Sequence, residues 1–371
     1  MRAVVRPAEF CGAVVARRDG GGPYWRCLPH IAGPRPGWMP GALWPHFFNP
    51  AMPPDGLVVA LPGAVVLGPG IVRLEDGTVV RESLLNCEGL TEAPHMRRDA
   101  DGEWMLAPLP GDLPVLPGTF VALRQMWDQN YGHWLLEVLP RLAALAGHDA
   151  LAEAKMLVSG HGGLPGEREI IAVQTASLGG FGVGAGRIRR WGWGPVRVER
   201  LLFSVPVTRQ PWLKAPLAVT VLEDLGRRLS GDGAAGPARI FVRRGAGDRR
   251  QLLCEAAVWA VLRARGFVAV TPGEMDFLAQ VRAFAGATHV VGVLGAGCAN
   301  LAFSARGVRL LGLSPRDMQD DFFYDLVSLK GGEYFCLHGA GRGTGMNADF
   351  DVDMENFQTM LGAFLRPTAR R

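Results

Sequence analysis

Between residues 239 and 313, short apolar runs alternate with amphipathic segments, and no other feature limits the fold as strongly. Four runs have the length and composition of strands: 239–242, 267–271, 289–293 and 308–313. The segments between them have helical periodicity and cover residues 252–265, residues 276–285 and a stretch that starts at Cys298. Strands and helices that alternate at this spacing form a parallel sheet with right-handed crossovers. We therefore predict an α/β domain with a parallel sheet for this part of the chain.

The N-terminal half has a different pattern. Residues 1–55 are rich in Gly, Pro and Trp, whereas residues 57–90 have the pattern of short strands, with a hairpin turn at Asp76 and Gly77. The pattern further along the chain predicts strands at 120–123 and 155–159 and helices at 130–146 and 166–179. Pro140 is expected to kink the first of these helices or to begin a second one.

The length of 371 residues suits two domains on the usual prior of ~150 residues for each domain. The Gly-rich stretch 230–237 has the strongest linker composition in the sequence. We predict an N-terminal domain over residues 1–229, β-rich in 1–115 and α/β in 116–229. A C-terminal α/β domain over residues 230–371 follows.

Composition excludes several classes of protein. The net charge of +4 is too small to indicate a nucleic-acid partner, and no run of residues reaches the length of a membrane span. The six cysteines have no CxxC and no zinc-ligand spacing, which predicts reduced thiols and no metal site. No charged-then-apolar signal segment opens the sequence, so we expect a cytoplasmic protein. The bias to Arg, Gly and Ala is typical of a GC-rich bacterial genome.

A stripe of polar residues marks the helix predicted at 130–146. Asn130, His133, Glu137 and Arg141 follow one another at offsets of three, four and four, which places them on one helical face, while the residues between them, such as Trp134, are apolar. This pattern favours an acid–base group presented to a cleft. Several roles stay open: His133 as a core histidine or a base, and Glu137 as its orienting partner, as the base itself, or as an ion-pair partner of Arg141.

A glycine-rich turn lies between the strand at 289–293 and the next predicted helix. Gly295, Ala296 and Gly297 let the backbone approach a ligand, and the N–H groups at the start of the helix favour a phosphate. Turns of this kind also occur in α/β proteins for packing alone, and that alternative stays open.

Two arginine-rich stretches could contact ligands. Arg244 and Arg250 follow the strand at 239–242, where a diphosphate would lie, and guanidinium groups bind its oxygens bidentately. Each could instead be part of a solvated basic loop, but we expect at least one of them to contact phosphate. The stretch 187–194 mixes Arg with Trp and is compatible with a sugar-stacking surface, an acidic-acceptor surface or an exposed loop.

Taken in this order, these segments resemble glycosyltransferase family 61, whose bacterial members are often labelled capsular polysaccharide biosynthesis proteins. The resemblance covers residues 57–335 and is carried by four matches. They are residues 130–142; the group Arg244, Arg249, Arg250 and Glu255; residues 266–280; and residues 292–303.

The resemblance implies a GT-B architecture, in which two Rossmann-like domains face a cleft, here with a β-rich N-terminal portion. It also implies inverting transfer of a sugar from a nucleotide-sugar to a polysaccharide or glycoconjugate acceptor, with no metal and no other cofactor. His133 and Glu137 are the catalytic residues that it implies. The donor residues are Arg244, Arg250, Glu255, Gly295, Ala296, Gly297 and Asn300. The acceptor-side residues are Asn130, Trp134 and Arg141.

The sequence departs from the family pattern at three positions: Leu294 stands where His is usual, Cys254 where Asn is usual, and Ala299 where Thr is often found. Leu294 supports an alternative, a non-catalytic relative that binds a glycan or a protein partner. A dinucleotide oxidoreductase is disfavoured, because no acidic ribose-binding residue follows the glycine turn at the required distance. With a lipid-linked glycan acceptor, we expect peripheral association with the inner face of the membrane.

Overall fold

The structure is a computed structural model that describes residues 1–33, 49–160, 166–209, 213–231, 236–318 and 322–367. It is a mixed α/β protein with several sheets. The chain forms two compact units, each made of two segments. Unit 1 contains residues 1–21 and 54–210, and unit 2 contains residues 22–53 and 211–371.

These units differ from the predicted domains in two places. Residues 22–53 group with unit 2 because the strand His30–Ala32 pairs with Tyr334–Arg342 there. The helix Pro216–Ser230 also belongs to unit 2, where it packs against Phe277–Ala285. Residues 232–235 of the predicted linker lie outside the described residues.

The strands are numbered in chain order. They are β1 (Val4–Arg6), β2 (Ala13–Arg18), β3 (His30–Ala32), β4 (Gly56–Pro62), β5 (Val65–Leu67), β6 (Ile71–Arg73), β7 (Thr78–Val80), β8 (Glu92–Ala93), β9 (Met96–Arg98), β10 (Trp104–Leu106), β11 (Val115–Leu123), β12 (Lys155–Ser159), β13 (Ile188–Trp191), β14 (Val196–Ser204), β15 (Thr208–Arg209), β16 (Leu213–Lys214), β17 (Arg239–Val242), β18 (Val268–Val270), β19 (His289–Val293), β20 (Arg309–Pro315), β21 (Tyr334–Arg342) and β22 (Asp349–Asp351).

The helices are of three types. The α-helices are α1 (Tyr131–His133), α2 (Asp149–Glu153), α3 (Glu167–Gly179), α4 (Pro216–Ser230), α5 (Glu255–Arg263), α6 (Phe277–Ala285), α7 (Phe322–Leu329) and α8 (Met354–Leu365). A π-helix covers Trp134–Val138. The 3₁₀ helices are Ala8–Phe10, Arg81–Leu84, Leu139–Ala144, Ala185–Arg187, Pro272–Glu274 and Ala296–Phe303.

Unit 1 is built on a mixed sheet. Its strands follow the order β1-β7-β6-β5-β14-β11-β12-β13, and β4 pairs with both β14 and β2. The strands β14, β11, β12 and β13 are parallel, whereas β4, β5 and β6 extend the sheet in antiparallel pairs. The predicted hairpin at Asp76 and Gly77 is confirmed, because β6 and β7 pair antiparallel around that turn. Gly77 has a φ of 86°, a conformation that glycine adopts without strain.

Unit 2 confirms the predicted parallel sheet. The strand order is β18-β17-β19-β20-β21-β22, with β3 beside β21, and every pair except β21–β22 is parallel. Counted along the chain from β17, the first five strands lie in the order 2-1-3-4-5, one of the common doubly wound orders.

The last helix, α8, packs within unit 2. The side chains of Phe357, Leu361 and Phe364 are buried in the core of unit 2, beside Phe335. This apolar stripe covers strands β20 and β21, so the helix completes the fold of its own unit.

Candidate active site

The segment that carries the predicted polar stripe is helical, but it is not one α-helix. α1 begins after Asn130, whose side chain accepts a hydrogen bond from Gly132 N at 2.9 Å. The chain then widens into the π-helix Trp134–Val138, where Leu139 N bonds to Trp134 O, five residues back. Pro140 has no N–H and stands at the start of the following 3₁₀ helix. The prediction of a break at Pro140 is therefore confirmed, while the prediction of regular α-helix before it is wrong. π-bulges of this kind are frequent at functional sites.

Glu137 lies at the centre of a buried network in unit 1. Its side chain is fully buried, and its Oε2 accepts hydrogen bonds from Asn86 Nδ2, at 3.0 Å, and from Gln125 Nε2. Its Oε1 lies 3.1 Å from Nδ1 of His133. Because a carboxylate only accepts hydrogen bonds, Nδ1 carries the hydrogen in this pair. The neutral imidazole then has its lone pair on Nε2, so Glu137 fixes the tautomer of His133.

Arg141 joins the same network through an amide. Its guanidinium donates to Oε1 of Gln125 at 2.6 Å and to the carbonyl of Arg124 at 3.3 Å. Gln125 thus connects Arg141 to Glu137. Burial lowers the pKa of Arg141 to about 10, so the group still carries its charge at neutral pH. We infer that Arg141 helps to offset the charge of the buried Glu137 carboxylate.

Within the His133–Glu137 pair, it is His133 that lines a cavity. Its side chain is 23% exposed, whereas that of Glu137 is 0% exposed. The cavity has a volume of about 400 Å³ and is lined by His133, Asn86, Glu88, Met126 and Trp127 among others. We call it the His133 cavity. Its size falls within the range of ligand pockets, roughly 300–1,000 Å³.

Two residues of the His133 cavity have left-handed backbone. Asn86 has a φ of 63° and Trp127 a φ of 68°, values that cost a non-glycine residue about 1–2 kcal/mol. Asparagine tolerates this conformation, but for a bulky residue such as Trp127 it is an outlier. Strain of this kind clusters at functional sites.

A second buried polar cluster lies at the carboxyl ends of β11 and β12. Ser159 donates a hydrogen bond to the Asp128 carboxylate, and Arg124 Nε lies 3.3 Å from Ser159 Oγ. Burial lowers the pKa of Arg124 to about 10. Sequence reasoning missed these residues, although polar residues directly after a parallel strand are a usable signal. Asn86 comes from a distant segment and gave no local signal at all.

Two predicted acceptor-side residues support the helix in this structure. Trp134 is fully buried, and its Nε1 donates to Ser177 Oγ at 3.0 Å. Asn130 caps α1. Both positions suit residues that fix the helix carrying His133, and their contact with an acceptor stays a prediction.

In unit 2, the predicted donor residues gather at the carboxyl ends of β17 and β19. These two strands are neighbours, and the strand order reverses between them. In open α/β sheets, ligands bind outside the strand ends at this switch point. The loop after β17 carries Arg244 and Arg250, and the glycine turn after β19 contains Gly295 and Gly297. Both therefore lie at the position that the topology favours for a ligand.

Arg244 and Gly295 are close together at this switch point. A Cβ added to Gly295 would collide with the Arg244 guanidinium. Arg244 Nε donates to the carbonyl of Arg249 at 3.1 Å, and the Arg244 side chain is 19% exposed. Its guanidinium is thus held over the glycine turn and still meets solvent.

Arg250 is bound to the protein itself. It donates to the carbonyls of Leu294 and, at 2.8 Å, of Met346, and to Asn347 Oδ1 at 3.1 Å. Its φ of 66° is left-handed, and its side chain is buried. These bonds fix the backbone at Leu294, directly before the glycine turn, and direct contact of Arg250 with a donor stays a prediction.

The remaining predicted donor residues lie near the turn. Glu255 accepts a hydrogen bond from Arg243 Nε at 2.7 Å. Asn300 is buried and donates to Gln280 Oε1 at 2.8 Å and to Gly297 O at 3.1 Å. The helix predicted from Cys298 is a 3₁₀ helix that begins two residues earlier, Ala296–Phe303, and it includes Ala296, Gly297 and Asn300.

Leu294 is buried, and a Cβ on Gly312 would collide with its side chain. It therefore packs onto β20, and the part of this residue that faces the turn is its carbonyl, which Arg250 binds.

A comparison with protein-family models decides the identity of the chain. The model described as Glycosyltransferase 61 matches residues 131–311. The chain contains a glycosyltransferase family 61 domain, which covers 181 of its 371 residues. It is therefore a glycosyltransferase, which in general takes a sugar donor and a glycan acceptor. A comparison with the curated proteins found no match.

The match starts at Tyr131, the first residue of α1, and ends in β20. It includes the His133–Glu137 pair and the glycine turn of this glycosyltransferase, but Asn86, Gln125 and Trp127 lie before it.

Two kinds of feature are absent from the described part of the chain. Within the described ranges, no helix is both long enough and apolar enough to cross a membrane. In that same part of the chain, no three His, Cys, Asp or Glu side chains are grouped as a metal site would require.

Proposed function

We propose that this glycosyltransferase moves a sugar from a nucleotide-sugar to a glycan hydroxyl with inversion at the anomeric carbon, and that His133 is the base. The observation that carries the proposal is the His133–Glu137 pair, in which the imidazole lines a cavity and the carboxylate is fully buried. A residue that takes a proton from an acceptor must come within hydrogen-bond reach of it. The position of His133 in the wall of the cavity supports this role, whereas the buried Glu137 already accepts hydrogen bonds from Asn86, Gln125 and His133.

In this mechanism, the acceptor hydroxyl attacks the anomeric carbon while His133 Nε2 takes its proton. The bond from that carbon to the diphosphate breaks, and the electron pair leaves with the phosphate oxygen. Glu137 holds the imidazole in the correct tautomer and stabilises the imidazolium that forms. An aligned base of this kind contributes roughly 10²–10⁴ in rate.

We propose that the switch point of unit 2 holds the donor diphosphate. Arg244 supplies a permanent positive charge there, and the N–H groups of the glycine turn supply dipoles directed at the leaving group. These groups neutralise the departing diphosphate without a metal ion. Unit 1 and unit 2 would then be the acceptor half and the donor half of a GT-B enzyme.

For the biological setting, we propose a bacterial enzyme that builds a capsular or other extracellular polysaccharide. It would work in the cytoplasm on a glycan or lipid-linked glycan acceptor, at the inner face of the membrane. The resemblance of four ordered sequence segments to the bacterial members of the family supports this part of the proposal.

The first experiment is a calorimetric titration of the purified protein with UDP, GDP, CMP and dTDP, with and without EDTA. We expect one nucleotide to bind with a micromolar Kd that EDTA does not change. Arg244→Ala should weaken that binding by about 10–100-fold, whereas Arg249→Ala, a change at an exposed neighbour, should leave it unchanged. Binding that requires a divalent cation would contradict the metal-independent mechanism. Donor binding without turnover on any glycan would indicate a non-catalytic relative.

A further inference from the structure

A second cavity adjoins the His133 cavity in unit 1. It has a volume of about 280 Å³, and Trp127, Trp193, Gln125, Asp128 and Ser159 are among its lining residues. We call it the tryptophan cavity. Trp127 lines both cavities, so a ligand that fills one of them lies against the wall of the other.

Both tryptophans are half exposed, Trp127 at 50% and Trp193 at 48%. Large aromatic rings that stay in water forgo a substantial hydrophobic gain. The face of a pyranose ring carries C–H groups that can cover such a surface. Neither indole N–H bonds to another residue within the described part of the chain, so each can donate to a sugar hydroxyl.

The polar lining of the tryptophan cavity suits the rim of a sugar. The buried Asp128 carboxylate accepts a hydrogen bond from Ser159, and the side chain of Gln125 bonds to Glu137. A pyranose presents an apolar face and a ring of hydroxyl groups, and this cavity offers aromatic surface and amide, carboxylate and hydroxyl groups together. The volume of about 280 Å³ lies just below the range of whole ligand pockets, roughly 300–1,000 Å³, as expected of a subsite for one ring.

The backbone of Trp127 gives a further indication. A φ of 68° at a tryptophan is strained, and the fold retains it at the residue that separates the two cavities. This backbone conformation places the indole at the boundary. The stretch 187–194, which the sequence left open as a sugar-stacking surface, supplies the second ring, Trp193.

We propose that the tryptophan cavity binds a second sugar ring of the acceptor, next to the ring whose hydroxyl reacts at His133. The acceptor is then a glycan of at least two pyranose residues, and a lone monosaccharide is a poor substrate. This inference rests on the proposed function, because the His133 cavity must hold the reacting ring.

The test measures saccharide binding to the full chain by calorimetry. The probes are glucose, galactose, mannose, xylose and N-acetylglucosamine, each beside its 1,4-linked disaccharide. For the sugar that binds, we expect the disaccharide to bind about tenfold more tightly than the monosaccharide, the effect of one added stacking contact.

Four variants separate the contributions. Trp193→Ala should remove the advantage of the disaccharide and leave monosaccharide affinity unchanged, since Trp193 lines only the tryptophan cavity. Trp193→Phe keeps an aromatic ring and should therefore retain most of the advantage of the disaccharide. Trp127→Ala should weaken both ligands, because Trp127 lines both cavities. Trp25→Ala is the matched control, as that ring is 63% exposed in unit 2, and it should change neither.

Equal affinity for monosaccharides and disaccharides would overturn the proposal. So would a disaccharide advantage that survives Trp193→Ala, or the absence of saccharide binding across the whole panel. Failure of the proposed function has a different signature: it would leave saccharide binding intact, while nucleotides fail to bind or His133→Ala fails to reduce turnover.

Discussion

The two candidate sites are built in different ways. In unit 1, the site consists of side chains that bond to one another around Glu137, on a helix that changes type at both ends of the π segment. In unit 2, the site consists of a backbone turn and a guanidinium at the reversal point of a regular parallel sheet. The difference fits two tasks. Proton transfer requires one nitrogen at a defined position, whereas binding a diphosphate requires positive charge and N–H groups that many parallel sheets supply at this location.

The comparison predicts that the unit 1 site controls turnover. His133→Ala should reduce kcat by roughly 10²–10⁴-fold and leave the Kd of the nucleotide unchanged, because the imidazole acts only on the acceptor proton. Steady-state kinetics and calorimetry measure the two quantities. His148→Ala is the control, since that exposed imidazole caps α2 in the same unit. A weaker nucleotide Kd in His133→Ala would show that the two roles are not separate.

Stability should also depend on the unit 1 network. Glu137→Ala leaves the donors of Asn86, Gln125 and His133 without their buried acceptor, and we expect a loss of about 3–5 kcal/mol in the free energy of unfolding. Urea denaturation measures it. Glu153→Ala, at an exposed position in α2, should change stability by less than about 0.5 kcal/mol. A similarly small loss for Glu137→Ala would mean that water replaces the carboxylate and that the network is not rigid.

The unit 2 site should respond through affinity. Arg244→Ala should weaken nucleotide binding by about 10–100-fold, the value of one charge-assisted hydrogen-bonded contact, with kcat at saturating donor reduced less than by His133→Ala. Titration of the nucleotide and kinetics at saturating donor separate these effects. If Arg244→Ala reduced kcat alone, the guanidinium would act only in the transition state, and the contrast with His133 would fail.

Gly295→Ala tests whether the turn acts by leaving room for Arg244. The φ of Gly295 is 171°, which any residue adopts, so the variant should fold with unchanged stability. Its Cβ displaces the Arg244 guanidinium, and we expect nucleotide affinity to fall by about threefold to tenfold, less than on removal of the charge. Gly362→Ala, where a Cβ meets open space, is the control. A large drop in melting temperature for Gly295→Ala would show that the turn is needed for packing.

The smallest predicted effect concerns Trp127. Alanine normally stabilises a chain more than glycine does, but at a φ of 68° we expect Trp127→Gly to be more stable than Trp127→Ala by about 1 kcal/mol. Thermal or urea denaturation of the two variants gives the difference. If Trp127→Ala were instead the more stable variant, the backbone at residue 127 would leave the left-handed conformation once the indole is removed. The contacts of the indole would then be the cause of the strain.

Much of unit 2 follows from the sequence because its signals are local. Strand β19 was predicted at its observed bounds, and α6 begins within one residue of its predicted start, since apolar periodicity and Gly or Asp punctuation act within a few residues. The pairing of His133 with Glu137 is also local, as an offset of four places both side chains on one face of a helix. Sequence reasoning could not choose the base between these two residues, because that choice depends on which side chain a cavity reaches.

The sequence by itself determined the alternation of strands and helices, the glycine turn beside an arginine loop, and the polar stripe that identifies the family. Only the tertiary structure decided that Asn86 and Gln125 complete the shell around Glu137. It also decided that the stripe runs from an α-helical turn through a π-helix into a 3₁₀ helix, and that Trp193 lines a cavity together with Trp127, which also borders the His133 cavity. The physical reason is range. Helix and strand preferences arise from neighbours within one or two turns, whereas buried networks and cavities join segments tens of residues apart, and their geometry exists only once the chain has packed.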